Sequence, residues 1–297
     1  MYKKKIVQYI LYFIILLILF VLEKNTGIAA FAIGFFMALI YSRQNALILC
    51  LFYAAGSMLL NFELINLFYA LFPCLVVIVA SFFHYKLKKR ITQVMIAVYT
   101  FISFAPMFVL KTSDLYQITN TLISVIAAQM FLYAAKTYLH PILTRGITTR
   151  LRHDEKLSGG IVLCAVFAGL SYLQVYDFNV YFMFAVLLLL FIRQLKGSVA
   201  LTIAAIIGFG GSVAQVSFYH IAALVSLAMV IVAFREKNIF ITSFASLITV
   251  FVFNFFFGKG WYWFALLPFA AACVIACCFP PRVFLCIKAM EDEGKKS

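Results

Sequence analysis

Few residues in this chain have both the type and the spacing to do chemistry. Cys273 and Cys277 stand four apart and so share one helix face, as two ligands of a soft metal would. No histidine or carboxylate lies near them in sequence to complete such a set. The remaining cysteines (Cys50, Cys74, Cys164, Cys278 and Cys286) also lie in or beside apolar runs. There a thiol behaves as a small hydrophobe, and with no pair across a polar loop a disulfide framework is not expected. Gln129, Gln215 and Asn254, with a few hydroxyls, are the polar groups inside apolar runs. Such groups hydrogen-bond between helices; the alternative is that they line a solute path. Gly208-Phe209-Gly210-Gly211 precedes Gln215 and allows either close helix approach or a break in the helix. It is no phosphate loop, because the strand, Lys and Ser/Thr of that motif are missing. His220 stands at the edge of its run, where an imidazole is expected to be solvated.

Acid–base chemistry has no evident carrier. The ten acids (Glu23, Glu63, Asp114, Asp154, Glu155, Asp177, Glu236, Glu291, Asp292 and Glu293) fall in loops, at the ends of apolar runs or in the tail. No nucleophile–base pair, paired carboxylates, H-E-x-x-H or C-x-x-C occurs. We assign no catalytic, cofactor-binding or metal-binding residue and expect no cofactor. An ion-coupled transporter usually needs a charged or carboxylate site within the membrane, which lowers that reading without touching passive or lipid transport.

The elements that would position these groups follow from composition. Of 297 residues, 66% are hydrophobic and 11% charged, with mean hydropathy +1.07. A soluble domain is about a quarter charged, so this chain could not clothe a water-facing surface. Apolar runs can be drawn at 6–22, 28–41, 46–60, 64–83, 91–110, 115–135, 160–174, 180–192, 198–216, 219–234, 239–257 and 261–279. Crossing about 30 Å of hydrocarbon takes roughly 20 helical residues. The fold class is therefore all-α, a polytopic helical membrane protein of about ten to twelve spans. The short runs 28–41, 46–60, 180–192 and 219–234 are expected to be tilted, re-entrant or buried by neighbours. Pro73, Pro106 and Pro268 are expected to kink their spans. Lys3-Lys4-Lys5 before Ile6–Leu22 has the look of a secretory signal, with Ala29-Ala30 as a conceivable cleavage site. The run is long for that purpose, so it reads as an uncleaved first helix.

Charge orients the chain. With the N-terminus inside, only Lys24, Lys111 and Lys259 of the 24 basic residues fall in outer loops, the asymmetry of the positive-inside rule. Both termini are then cytoplasmic, and Trp261, Tyr262 and Trp263 open the last span in an outer aromatic belt. The net charge of +14 is spread through loops rather than gathered on one face, which argues against nucleic acid. Residues 1–135 form a first membrane helix set, 136–159 a cytoplasmic basic connector, 160–282 a second helix set and 283–297 a short cytoplasmic tail. Pro141 and Gly146 punctuate the connector, and ITTRLRHDEKL within it suits a short inner-leaflet helix attracted to anionic lipid. Two similar sets would suit a repeat, although the halves show no residue-level self-similarity to support one.

From Glu155 the text runs EKLSGGIVLCAVFAGLSYLQVYDFNV, then Arg193-Gln194-Leu195-Lys196-Gly197-Ser198, IAAIIGFGGSVAQ, SFYHIAALVSLAMVIVAFREKNI and, after the last run, P-P-R-V-F. In that order it resembles the N-terminal membrane region of the stage II sporulation protein E phosphatases of endospore-forming bacteria, over about residues 150–285. Two departures stand out: that region is usually drawn with ten spans, and this sequence stops where the regulatory and phosphatase domains would start. The metal-binding aspartates are thus not carried over. The resemblance implies a non-enzymatic module of the bacterial cytoplasmic membrane, acting in septal localisation or membrane-partner binding. Its implied partners are the lipid bilayer, membrane or septal proteins and a second copy of itself. The rival function is a small-solute or lipid transporter or flippase, with Gln129, Gln215, Asn254 and a break near Gly210 lining one polar cavity.

Overall fold

A computed structural model describes residues 2–42, 44–60, 64–87, 91–110, 115–145, 151–176, 178–257 and 266–279. The chain is all-α apart from one small hairpin. In order come α1 (Tyr2–Thr26), α2 (Phe31–Tyr41), α3 (Ala46–Leu60), α4 (Leu64–Leu87), α5 (Gln93–Ser103), α6 (Ala105–Leu110), α7 (Leu115–Arg145) and α8 (His153–Ser171). The hairpin β1 (Gln174–Val175) and β2 (Phe178–Asn179) leads to α9 (Val180–Phe191), α10 (Gly197–Gln215), α11 (Tyr219–Ala233), α12 (Ile239–Phe257) and α13 (Leu267–Cys278). Each apolar run carries a helix. Among the described residues, Lys5–Thr26, Leu115–Thr144, Gly197–Gln215 and Ile239–Phe256 are long and apolar enough to cross a membrane.

Local chemistry starts and stops these helices. Thr92 caps α5 by accepting from Met95 N–H at 3.3 Å, and Asn45 caps α3 by accepting from Leu47 N–H at 3.1 Å. Glu155, in the first turn of α8, accepts from Arg152 N–H at 2.8 Å, the returning half of a capping box. Gly27 takes φ +71° immediately beyond α1, the left-handed turn that suits glycine after a helix. That turn lets Glu23 of α1 reach forward to the start of α2, where its Oε1 accepts from Ala32 N–H at 2.8 Å. A carboxylate there satisfies an open amide and meets the positive end of the helix. Inside helices, hydroxyls fold back: Thr100, Ser103, Thr121, Ser246 and Thr249 each donate to the carbonyl four residues earlier.

Several sequence expectations are corrected. The 136–159 connector is helical well into its length, because α7 continues through Lys136 and Pro141 to Arg145. ITTRLRHDEKL is not a separate helix: its HDEKL is the opening of α8, continuous with the apolar run that follows, while Gly146–Arg150 lie outside the described residues. Pro268 does not kink a span: it sits in the first turn of α13, where a missing N–H costs nothing. Pro106 follows a break in its run at Phe104, and Pro73 lies inside α4, as Pro141 does inside α7. Run 91–110 divides at Phe104 into α5 and α6. Trp261, Tyr262, Trp263 and the tail 283–297 lie outside the described residues, as do Arg43, Lys111 and Lys259.

The chain forms two compact units, Met1–Val162 and Leu163–Ser297, the division falling within α8. In the first, α2 is central. Residues 32–40 are all buried, and α2 packs most heavily on α7, then on α1, α3 and α5. At 11 residues it is about 16 Å long and cannot span about 30 Å of hydrocarbon. Burial by neighbours is what a helix apolar all round requires. Gly34 makes the α7 contact possible, since a Cβ there would lie 3.0 Å from Ala128 O and 3.1 Å from Leu132 N. In the second unit, α9 holds the equivalent place, packing on α13, α10 and α11.

Taking α5 and α6 as one broken segment, each unit runs through six helices with a shared neighbour pattern. The second packs on the third and sixth, the third on the fourth, the fourth on the fifth and the fifth on the sixth. With the helices matched in this way, text recurs in the sequence. Arg43-Gln44 and Arg193-Gln194, Ala54-Ala55 and Ala204-Ala205, Phe68-Tyr69 and Phe218-Tyr219, and Ile91-Thr92 and Ile241-Thr242 all lie 150 residues apart (193 − 43, 204 − 54, 218 − 68, 241 − 91). These matches are single dipeptides and do not sit at the same helix positions: Thr92 caps α5, whereas Thr242 lies inside α12.

Replacing Glu23 by Ala should lower stability by about 1 kcal/mol through loss of the α2 cap. Thermal unfolding in detergent will check this against Glu236→Ala, whose side chain is 86% exposed and whose loss should change little.

Candidate functional site

Of the residues singled out in the second half, Gly211 and His220 meet the start of α9. Asn179 ends β2 and caps α9 by accepting from Tyr181 N–H at 3.0 Å, which turns Tyr181 and Phe182 inward at the helix start. Tyr181 is fully buried, and its hydroxyl donates to Ile207 O of α10 at 3.0 Å. Tyr172 OH donates in the same manner to Ala214 O at 2.8 Å. Both carbonyls therefore gain a partner from a neighbouring element.

The glycines of α10 take three sides of one unbroken helix. A Cβ on Gly208 would stand 2.6 Å from Ile221 Cα of α11, one on Gly210 would stand 2.5 Å from Cys164 O of α8, and one on Gly211 would stand 2.5 Å from the Tyr181 ring of α9. Close backbone approach is the use made of these glycines, and the helix does not break. Ser212 adds to the α11 contact by accepting from Ile221 N–H at 3.1 Å. Beyond Gln215 the helix is closed by Val216 at φ +50°, a left-handed conformation costly for a β-branched residue.

His220 is 7% exposed, not solvated as its place in the sequence suggested. Its ring lies parallel to Phe182 (4°, centroids 5.1 Å apart) and edge-on to Tyr181 at 5.2 Å, while Phe182 also meets Phe269 of α13 at 4.9 Å. The first turn of α11 is thus covered by the start of α9, a relation no local pattern could reveal. Gln129 donates to Ala97 O of α5 at 2.8 Å, and Gln215 donates to Ser171 O, at the end of α8, at 2.9 Å. Asn254 accepts from Tyr219 OH through its Oδ1. Each polar amide has its own partner. A groove of about 320 Å³ at the α10–α11 corner is lined chiefly by Phe209, Val213, Val216, Phe218 and Ile221, none of them an amide.

Cys273 and Cys277 turn to α12 rather than to each other. Cys273 Sγ donates to Ser243 O at 3.6 Å and Cys277 Sγ to Ser243 Oγ at 3.7 Å. Among the described residues no group of three His, Cys, Asp or Glu side chains could hold a metal ion.

Sequence reasoning missed Arg193, counted only as an inner-loop charge. It is 7% exposed. Its Nη1 donates to Thr242 Oγ1 at 3.2 Å and to Lys237 O at 3.4 Å. The Thr242 hydroxyl, fully buried, donates in turn to Phe234 O at 3.0 Å. One guanidinium thereby ties the α9–α10 turn to the α11–α12 turn. Nearby Lys196, Arg235 and Lys237 are exposed. The available signal was the 150-residue recurrence, which repeats both Arg-Gln and Ile-Thr.

The fold defines an all-α protein of apolar helices, four of which are fit to cross a membrane. In comparisons with known proteins the chain matches no family model, no curated protein and no solved structure.

Gly210→Val should destabilise the second unit by at least about 1–3 kcal/mol, since its new atoms meet backbone that cannot yield. Phe209→Ala on the adjacent exposed face should be far milder. Arg193→Ala should cost about 1.5–3 kcal/mol through its charged hydrogen bonds, and Arg193→Lys should restore only part, lacking the planar fork. Thermal melts in one detergent compare all four variants.

Proposed function

We propose that the chain is a non-enzymatic, multi-pass module of the bacterial cytoplasmic membrane, with both termini inside, related to the membrane anchor of the stage II sporulation protein E phosphatases. It acts by lateral helix contacts and by basic inner turns that meet anionic lipid and membrane or septal protein partners. The observation that carries this reading lies in the residues of the resemblance themselves. Between Glu155 and Ile239 the glycines, Tyr181, Gln215 and Arg193 are all engaged in holding helices together. A stretch whose distinctive residues serve packing suits a scaffold better than a reaction or a translocation path.

The transporter or flippase reading asks Gln129, Gln215, Asn254 and a break at Gly210 to share one cavity. We rank it second because those amides have separate partners and α10 is continuous through Gly210. Fluorescent fusions imaged in dividing and sporulating cells test the proposal: enrichment at the septum is expected. An even membrane signal at every stage would remove septal recruitment from the reading.

A further inference from the structure

Two thiols far apart in sequence face each other in the first unit. Cys50 lies in the second turn of α3 and Cys74 near the middle of α4, each 6% exposed. Cys74 Sγ is 3.5 Å from Cys50 O, and Cys50 Sγ is 3.9 Å from Cys74 O. With each sulfur reaching the other residue's own carbonyl, α3 and α4 come close together at this pair. Both cysteines are free thiols. The arrangement differs from that of Cys273 and Cys277, which share one helix and both turn to Ser243.

The surroundings limit what can oxidise the pair. Leu47 and Leu51 of α3 and Leu71 and Leu75 of α4, on the neighbouring turns, are exposed apolar side chains at 66%, 69%, 39% and 56%. A charged, water-borne disulfide such as glutathione would have to cross that apolar collar. A flat, lipid-soluble quinone dissolves in such a collar, as a charged disulfide does not.

We propose that Cys50 and Cys74 form a closable dithiol, a disulfide site joining α3 to α4, with a membrane-soluble quinone as its oxidant. In the reaction two S–H bonds break and one S–S bond forms. The two electrons and two protons released reduce the quinone's two carbonyl oxygens to the hydroxyls of the quinol, so the step balances with no further reagent. Closure ties α4 to α3, the helix on which it packs most heavily, and leaves the other five of the seven cysteines reduced.

The purified full-length chain, in nanodiscs under argon, is incubated with a short-chain ubiquinone and, in parallel, with copper–phenanthroline. It is then denatured, its free thiols are tagged with a maleimide–polyethylene glycol, and its peptides are mapped by mass spectrometry without reduction. With the quinone, a loss of two taggable thiols per chain is expected, with a linked Cys50–Cys74 peptide, matching formation of quinol and reversal by dithiothreitol. Cys50→Ser should abolish all four. The mapping of the unaltered chain does not depend on that variant folding. All seven thiols remaining taggable under both oxidants, or links to other cysteines instead, would overturn the paired site. Closure by the copper reagent alone would overturn the quinone as oxidant.

Discussion

Apolar helices gain little from hiding from one another when their surroundings are equally apolar, so what holds them is close contact and hydrogen bonds between polar groups. This chain meets that constraint with small residues and inward hydrogen bonds. Gly34 admits α7, while Gly208 and Gly210 admit α11 and α8. The closer two backbones come, the more dispersion contacts each turn makes, and the more readily a side chain such as Tyr181 or Tyr172 can reach a carbonyl on the neighbouring helix. Polar residues here are therefore mostly fasteners.

Charge obeys the same constraint. Glu23 and Glu155 each end on a backbone amide at a helix start, where an open donor already needs an acceptor. Arg193 ends on a carbonyl and a hydroxyl at two turns. In these places polar side chains substitute for the water that would otherwise complete the turns. The arrangement leaves the interior of each unit to aliphatic and aromatic packing, with α2 enclosed in the first and one face of α9 buried in the second.

The likeness of the two units bears on how such a chain is assembled. Both place a short, apolar helix second, enclose it with the sixth and third, and follow it with Arg-Gln; both start the fifth helix near Ile-Thr. The second unit shows what those residues can do, since Arg193 and Thr242 are bonded across the turns. Dipeptides separated by long apolar stretches that vary freely are nearly invisible in sequence, because Leu, Ile, Val and Phe exchange at little cost wherever volume is kept. The shared neighbour pattern depends on geometry rather than on identity.

Sequence alone determined which segments are helical, where most of them begin and end, and that the chain is all-α and apolar. These follow from the absence of charge over long runs. It also found the glycine cluster. The tertiary structure decided which helices are enclosed and which face outward. It buried His220 and Arg193, set Cys50 beside Cys74, and gave Gln129, Gln215 and Asn254 separate partners. The physical reason is that an amphipathic helix announces its buried face, whereas one apolar on every side carries no such mark. For those helices, facing is fixed only when neighbours arrive, by shape and by the few polar atoms that must find each other.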